Sequence, residues 1–227
     1  MTFLIFLVIV TSPMREVENI MLSLPTQQHE IFVNYANNNF SQKLRCHDDM
    51  LTAEINSSNY LDLNLNSRVL PDTKYISALD PQVQEVILDF FDDSESLRNY
   101  IASVSFFLKE QIRYSEMNLP QDATAVILNK RARCVGYANA AKVFFDAAGI
   151  KCKVVKGFFL KEGKKNTMIP IPHRWVEIRL DNREKFFYDP QYQRFSANYL
   201  ATKDDVDFRR VKKFKVYIIK KSKKILD

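Results

Sequence analysis

The sequence is poor in cysteine and histidine, and this shortage excludes several kinds of protein. Its 227 residues include three cysteines and three histidines, with no CxxC pair, no P-loop and no dinucleotide-binding fingerprint. Three cysteines are too few, and odd in number, for a disulfide-stabilised scaffold, and the missing CxxC spacing argues against a zinc site of that type. We therefore predict neither a metal nor a cofactor.

Glycine is equally scarce. All four glycines lie within residues 136–163. Backbone conformations and close approaches that only glycine allows are therefore expected in this segment and not elsewhere.

The charge balance is basic without being extreme. Lysine and arginine exceed aspartate and glutamate by 33 to 27, and the excess is concentrated near the C-terminus, in RRVKKFKVYIIKKSKKILD. There the basic residues alternate with Phe214, Val216 and Ile218, which predicts a half-buried edge strand protected by lysines. We predict no nucleic-acid partner; contact of this tail with a polyanion or an anionic membrane is the alternative.

The N-terminus opens with an apolar run, residues 3–10. It is too short to cross a bilayer as a helix, which needs about 20 residues, but it has the length of a signal-peptide core. We predict that residues 1–12 are a truncated signal sequence of a secreted or periplasmic protein; a buried strand in a cytoplasmic protein is the alternative. Residues 13–79 are polar and weakly patterned, with a strand predicted at residues 60–66. Residues 80–227 are expected to form the main domain.

In this main domain, helices are predicted first and antiparallel strands after them, which is an α+β fold. The four predicted helices begin at Pro81, near residue 93, after Asp122 and at Cys134. The second has a buried stripe formed by Leu97, Ile101, Val104, Leu108 and Ile112. Gly149 is predicted to end the fourth helix, and a hairpin turn is predicted at residues 181–183.

Cys134 has the setting that a nucleophilic cysteine needs. In RCVGYANAAKVFFDAAGIKC it stands where the alanine-rich helix begins. A helix N-terminus stabilises a thiolate through its amide groups and its dipole. The neighbouring Lys130, Arg131 and Arg133 add positive charge, and Gly136 removes bulk close to the thiol.

A thiolate nucleophile also needs an imidazole partner and a group that orients it. His173, in HRWVEI, lies on a predicted strand, and Asp189, in FFYDP, lies on the partner strand of the same hairpin. Neighbouring strands are about 4.8 Å apart, so a contact from His173 to Asp189 across them is feasible. We predict Cys134, His173 and Asp189 as the catalytic residues.

Each of these residues also has a simpler interpretation. A lone cysteine is usually a small core residue, a histidine on a strand is usually structural, and an Asp-Pro pair often closes a turn. Cys152 is predicted to be a core residue. Trp175 is predicted to pack beside the site, and residues 46–49, CHDD, to form a polar loop rather than a metal site.

Taken together, RCVGYANAAKVFFDAAGIKCKVVKGFF, HRWVEI and FFYDP resemble the transglutaminase-like superfamily of cysteine acyl-transfer enzymes and proteases. The resemblance covers about residues 95–195 and includes KEQIRYS as the segment before the nucleophile. It implies a papain-like α+β core with Cys134 as nucleophile, His173 as base and Asp189 as orienting carboxylate. One position differs, because Ala132 stands where many members have glycine. The Cys134 N–H is the expected oxyanion donor; Tyr114 or Gln111 could supply a second, although packing is the predicted role of both.

The predicted activity is hydrolysis of a peptide or glutamine-type amide bond, with a protein or peptide as substrate. Water as acyl acceptor makes the protein a protease or deamidase, and a lysine amine makes it a crosslinker. A non-catalytic binding module of the same fold is the alternative from another class. A glycanase is disfavoured, because the paired CxxC motifs expected there are absent.

Overall fold

The chain folds into two compact units, seen in a computed structural model that describes residues 14–58, 67–92, 96–180, 184–193 and 198–225. The described part of the first unit comes from residues 62–154 and 175–194. The second unit is built from residues 9–61, 155–174 and 195–227, again only within the described ranges.

The helices are α1 (Thr73–Ile76), α2 (Pro81–Asp92), α3 (Leu97–Glu110), α4 (Ala123–Asn129) and α5 (Cys134–Ala147), and a 3-10 helix spans Thr26–Ile31. The strands are β1 (Met14–Ser23), β2 (Tyr35–Ala36), β3 (Phe40–His47), β4 (Met50–Ser58), β5 (Arg113–Tyr114), β6 (Arg131–Ala132), β7 (Lys151–Glu162), β8 (Thr167–Arg179), β9 (Lys185–Tyr188), β10 (Tyr199–Ala201) and β11 (Lys215–Ile225). Helices and antiparallel strands together confirm the α+β class. None of the helices in the described ranges is long and apolar enough to cross a membrane.

The helices of the first unit follow the sequence pattern. Helix α2 starts at Pro81, and the Asp80 carboxylate accepts the Gln82 N–H at 2.9 Å. Helix α3 starts at Leu97 with Ser96 as its N-cap, whereas the start predicted near residue 93 lies outside the described residues. The predicted stripe of α3 is buried at all five positions, from Leu97 to Ile112. Periodic burial of apolar side chains therefore determines where these helices lie.

Gly149 ends helix α5 as predicted. Its φ of +68° lies in the left-handed region that glycine adopts without strain. The Gly149 N–H donates to the Asp146 carbonyl at 3.0 Å, and the Ile150 N–H donates to the Phe145 carbonyl at 2.9 Å. These two bonds form a Schellman motif, which satisfies carbonyl groups that the helix end would otherwise leave unpaired.

Strands β7 and β8 contribute to both units, changing unit at residues 154/155 and 174/175. In the first unit, β9 pairs antiparallel with the end of β8, with Val176 opposite Tyr188. The turn predicted at residues 181–183 lies outside the described residues. The antiparallel pairing of the two strands that flank it is nevertheless as predicted.

In the second unit, one sheet has the strand order β10-β7-β8-β11-β1-β4-β3-β2. The two ends of this order meet, because Phe32 forms a bridge with Thr202 and the Lys203 N–H donates to the Ile31 carbonyl at 2.8 Å. The sheet thereby closes on itself, which leaves few unpaired edge groups. Inside it, the rings of Phe158 and Phe214 pack at 5.1 Å between centroids.

The C-terminal strand is not the predicted edge strand, and this prediction was wrong. Strand β11 lies between β8 and β1 and pairs with β1 along its whole length. One of its lysines is used inside the sheet, because Lys221 Nζ lies 2.6 Å from the fully buried carboxylate of Glu18. Burial raises the pKa of Glu18, and the ion pair with Lys221 opposes that rise.

The order of elements also differs from the prediction, because β1 to β4 precede the helices. These strands fill most of residues 14–58, to which the sequence pattern assigned no structure. The predicted signal sequence at residues 1–12 and the predicted strand at residues 60–66 lie outside the described residues, and both stay predictions.

The buried side chain of Gln42 joins the two ends of the closed sheet. Its Nε2 donates to the carbonyls of Val33, at 2.7 Å, and Ala201, at 3.0 Å, and its Oε1 accepts the Ala201 N–H at 2.7 Å. Gln42→Leu keeps the size of the side chain but leaves these buried groups unsatisfied. We expect it to lower the free energy of unfolding by about 2–4 kcal/mol, measured by urea denaturation.

Gln28→Leu is the matched control. The Gln28 amide also bonds at both ends, to the Arg210 carbonyl and the Lys212 N–H, but these bonds are exposed to water. Its loss is expected to cost less than about 1 kcal/mol. Equal losses in the two variants would contradict the role of Gln42 in closing the sheet.

Candidate active site

Cys134 is the first residue of helix α5, as predicted. The preceding Arg133 has extended backbone angles, φ −93° and ψ 177°, and is the N-cap. Cys134 is not part of a disulfide, and it is partly exposed. The positive end of a 14-residue helix therefore adjoins a sulfur atom that reagents can reach, and this arrangement favours the thiolate over the thiol.

The first turn of α5 is packed tightly, and this explains two residues of the motif. A methyl group added at Gly136 would lie 2.8 Å from Val126 Cγ2 and 2.9 Å from Ala132 Cβ. Glycine at position 136 is therefore needed for close packing, as predicted. It also leaves room for the buried methyl group of Ala132, the position where many members of the resembled family have glycine.

Asp189 directly follows β9 and lies in the same unit as Cys134. Its side chain is fully buried. Its Oδ1 accepts the backbone N–H groups of Gln191, at 2.8 Å, and Tyr192, at 3.2 Å. The carboxylate thus closes the turn that follows the strand, which was the simpler interpretation of an Asp-Pro pair. A buried carboxylate fixed in this way can also orient an imidazole.

His173 lies on β8 in the part of the strand that belongs to the second unit. It is 3% exposed, and its ring packs beside those of Phe159, at 6.0 Å between ring centroids, and Tyr199, at 5.9 Å. These aromatic neighbours restrict the orientation of the imidazole. The structure thus places Cys134 and Asp189 in one unit and His173 in the other, and the catalytic role of the three stays a prediction.

The other two cysteines have different surroundings. Cys152 is buried, and burial raises the pKa of its thiol, which keeps it in the unreactive protonated form. This confirms its predicted place in the core. Cys46 is exposed, with its Sγ 3.7 Å from His29 Nδ1. Among the described residues, no group of three or more His, Cys, Asp or Glu side chains could hold a metal ion.

Trp175 is completely buried and packs on Phe187 at 5.5 Å between ring centroids, which agrees with its predicted packing role. For Tyr114 the packing prediction was wrong, because this side chain is 53% exposed. Partial burial raises the pKa of Tyr114, and the nearby charges of Glu116 and Cys134 raise it further. Tyr114 therefore lies near Cys134. Gln111 is exposed and accepts a hydrogen bond from Lys130.

Gln121 also contributes to this site, although no sequence motif marks it. Its side-chain oxygen accepts the N–H of Arg133 at 2.7 Å, at the point where α5 begins. The sequence signal for this contact is indirect. The sequence has glycine at the third position of the helix, and glycine there leaves space for a side chain from another segment.

A model of the transglutaminase-like superfamily matches residues 91–190, close to the predicted range. Solved structures similar to the chain include the following three, all with TM-scores below 0.5. A candidate cysteine protease from Cytophaga hutchinsonii is 10% identical, covering 91% of this chain and 97% of that one, with a TM-score of 0.47. The periplasmic domain of TgpA from Pseudomonas aeruginosa is 12% identical, covering 80% and 88%, with a TM-score of 0.45. The same domain bound to ethylmercury is 15% identical, covering 78% and 75%, with a TM-score of 0.48.

Among curated proteins, none matches the chain in sequence. The assignment therefore rests on the family match, whose range contains Cys134, His173 and Asp189. Residues 91–190 match the transglutaminase-like superfamily, as the resemblance of the motifs predicts.

Proposed function

We propose that the protein is a thiol-dependent acyl-transfer enzyme that hydrolyses peptide or glutamine-type amide bonds. The observation that supports this best is the position of Cys134, a partly exposed thiol at the first residue of α5, inside the range that matches the superfamily. Of the three cysteines, Cys152 is buried and Cys46 lies outside that range, so Cys134 is the candidate nucleophile.

In the proposed reaction, the Cys134 thiolate attacks the carbonyl carbon of the amide. The carbonyl oxygen becomes an oxyanion, which the Cys134 backbone N–H stabilises. Protonated His173 gives its proton to the departing amine, and the C–N bond breaks to leave a thioester. His173 then removes a proton from water, which attacks the thioester and releases the carboxylic acid and the thiolate.

Asp189 has the third role, that of accepting the other N–H of the imidazole. This keeps His173 in the tautomer that can take up a proton at the nitrogen facing the thiol, and it stabilises the imidazolium. The sequence order of the three residues and the burial of His173 and Asp189 support these roles.

The acyl acceptor separates hydrolysis from crosslinking, so the test supplies both acceptors. Casein is incubated with the protein in the presence of a fluorescent primary amine. We expect new amino termini or released ammonia, without amine incorporated into casein. Protein alkylated beforehand with iodoacetamide should give none of these products, because its thiols are blocked.

Amine incorporation or crosslinked casein would show that the protein is a crosslinking enzyme and not a hydrolase. A protein that forms no product and whose Cys134 shows ordinary thiol reactivity would be a binding module of the same fold. The signal sequence at residues 1–12, and with it a secreted or periplasmic location, stays a separate prediction.

A further inference from the structure

Helix α5 begins without a capping side chain of its own. Its N-cap, Arg133, makes no side-chain hydrogen bond to the first turn. In the common capping box, a glutamate or glutamine at the third helical position reaches back to the backbone N–H of the N-cap residue. In α5 the third position is Gly136, which has no side chain to offer.

Gln121 makes the bond that the third residue would make. Its Oε1 lies 2.7 Å from the Arg133 backbone nitrogen and accepts its N–H. A Cβ built on Gly136 would lie 2.6 Å from the same oxygen. The amide oxygen of Gln121 therefore occupies the space of the absent side chain at position 136, and performs its function from another segment.

Gln121 is itself held firmly in this place. Its Nε2 donates to the Leu119 carbonyl at 3.0 Å, and its backbone carbonyl accepts from the side chain of Asn139, in the second turn of α5, at 2.8 Å. The next residue, Asp122, caps α4 by accepting the Ala125 N–H at 2.9 Å. One short segment thus ties the start of α4 to the first two turns of α5.

We propose that Gln121 is a positioning residue for Cys134. By holding the N–H of Arg133, it fixes the peptide that leads into the helix, and with it the direction of the Cys134 thiol and backbone N–H. The thiolate is stabilised by the amides and dipole of this first turn, so loosening the turn removes stabilisation from the anion. The effect of Gln121 on the reactivity of Cys134 rests on the proposed function, whereas its capping of the helix does not.

The test compares the wild type with Gln121→Met, which keeps the length of the side chain and removes the acceptor. Amide hydrogen exchange in residues 132–136, measured by mass spectrometry, should become about tenfold faster, because the start of the helix opens locally. Alkylation of Cys134 by iodoacetamide at pH 6 should become about three- to tenfold slower, with its pH profile displaced to higher pH.

Gln84→Met is the matched control. The Gln84 amide donates to the Leu79 carbonyl at 2.9 Å, also in the first unit but at the start of α2. This variant should leave both the exchange of residues 132–136 and the pH profile of Cys134 unchanged.

The outcomes separate this inference from the proposed function. Unchanged exchange in Gln121→Met would overturn the capping role of Gln121. Suppose exchange becomes faster in Gln121→Met while Cys134 keeps the same low apparent pKa as in the wild type. That result would overturn the positioning role of Gln121. Faster exchange in a protein whose wild-type Cys134 already titrates as an ordinary thiol would support the cap, while contradicting the proposed function and the positioning role with it.

Discussion

Replacement of Asp189 by asparagine is expected to reduce amide hydrolysis about 10³- to 10⁴-fold while leaving the fold intact. Asparagine keeps the Oδ1 that accepts the N–H groups of Gln191 and Tyr192, so the turn after β9 can still close. It removes the negative charge that would hold and stabilise the imidazolium of His173. In the comparable Ser-His-Asp triad of serine proteases, the same change costs about 10⁴-fold in turnover.

Asp189→Asn thereby separates the two interpretations of the Asp-Pro pair. Initial rates on casein and the midpoint of thermal unfolding are measured for the wild type, Asp189→Asn and Asp189→Ala. We expect low activity in both variants, but a large drop in unfolding temperature in Asp189→Ala alone, because alanine cannot accept the turn hydrogen bonds. Near-normal hydrolysis by Asp189→Asn would reduce Asp189 to a residue that closes a turn.

Replacement of His173 by alanine is expected to lower hydrolysis at least about 10³-fold, because attack and proton transfer to the leaving amine both need the imidazole. The ring is 3% exposed and packs beside Phe159 and Tyr199, so its loss also leaves a cavity. His173→Gln keeps more of that volume and should be as inactive as His173→Ala but more stable.

His29→Ala controls for a general effect of losing a histidine. His29 lies in the same unit as His173, beside Cys46, and has no role in the proposed reaction. It should hydrolyse casein at the wild-type rate. Comparable losses in His29→Ala and His173→Ala would contradict a specific role for His173.

The helices could be predicted from sequence because their signals are local. In α3, apolar residues recur at helical spacing, and in α5, alanines lead to Gly149 at the end of the helix. The place of Cys134 followed directly from this pattern. Such signals depend on residues within a few turns of one another, and hydrophobic burial reinforces them.

Strands β1 to β4 could not be predicted in the same way, because several of their inward positions carry small or polar residues. In β4, the buried positions alternate as Leu51, Ala53, Ile55 and Ser57. In β1, Glu18 is buried beside Ile20 and is neutralised by Lys221, more than 200 residues away in sequence. With β1 unassigned, β11 lacked its main partner and had the pattern of an edge strand.

The residues that support the candidate site are also harder to predict from sequence than the site residues themselves. The motif residues Cys134, His173 and Asp189 are visible in the sequence because their types and order are distinctive. Gln121 is not, since its contact with Arg133 joins two loops twelve residues apart and depends on the space beside Gly136. Such a contact is determined by three-dimensional packing rather than by any periodic pattern.

The proposed function requires Cys134 to be a nucleophile activated by His173, and the reactivity of the Cys134 thiol tests this requirement. The rate of alkylation of Cys134 by iodoacetamide is followed from acid to alkaline pH in the wild type and in His173→Ala, with peptide mass mapping to separate it from Cys46 and Cys152. We predict that wild-type Cys134 reacts with an apparent pKa well below the ordinary thiol value of about 8.5, and that His173→Ala returns it to that value. If Cys134 titrates as an ordinary thiol in both proteins, or is inert in both, the result would contradict the proposed function and favour a binding module.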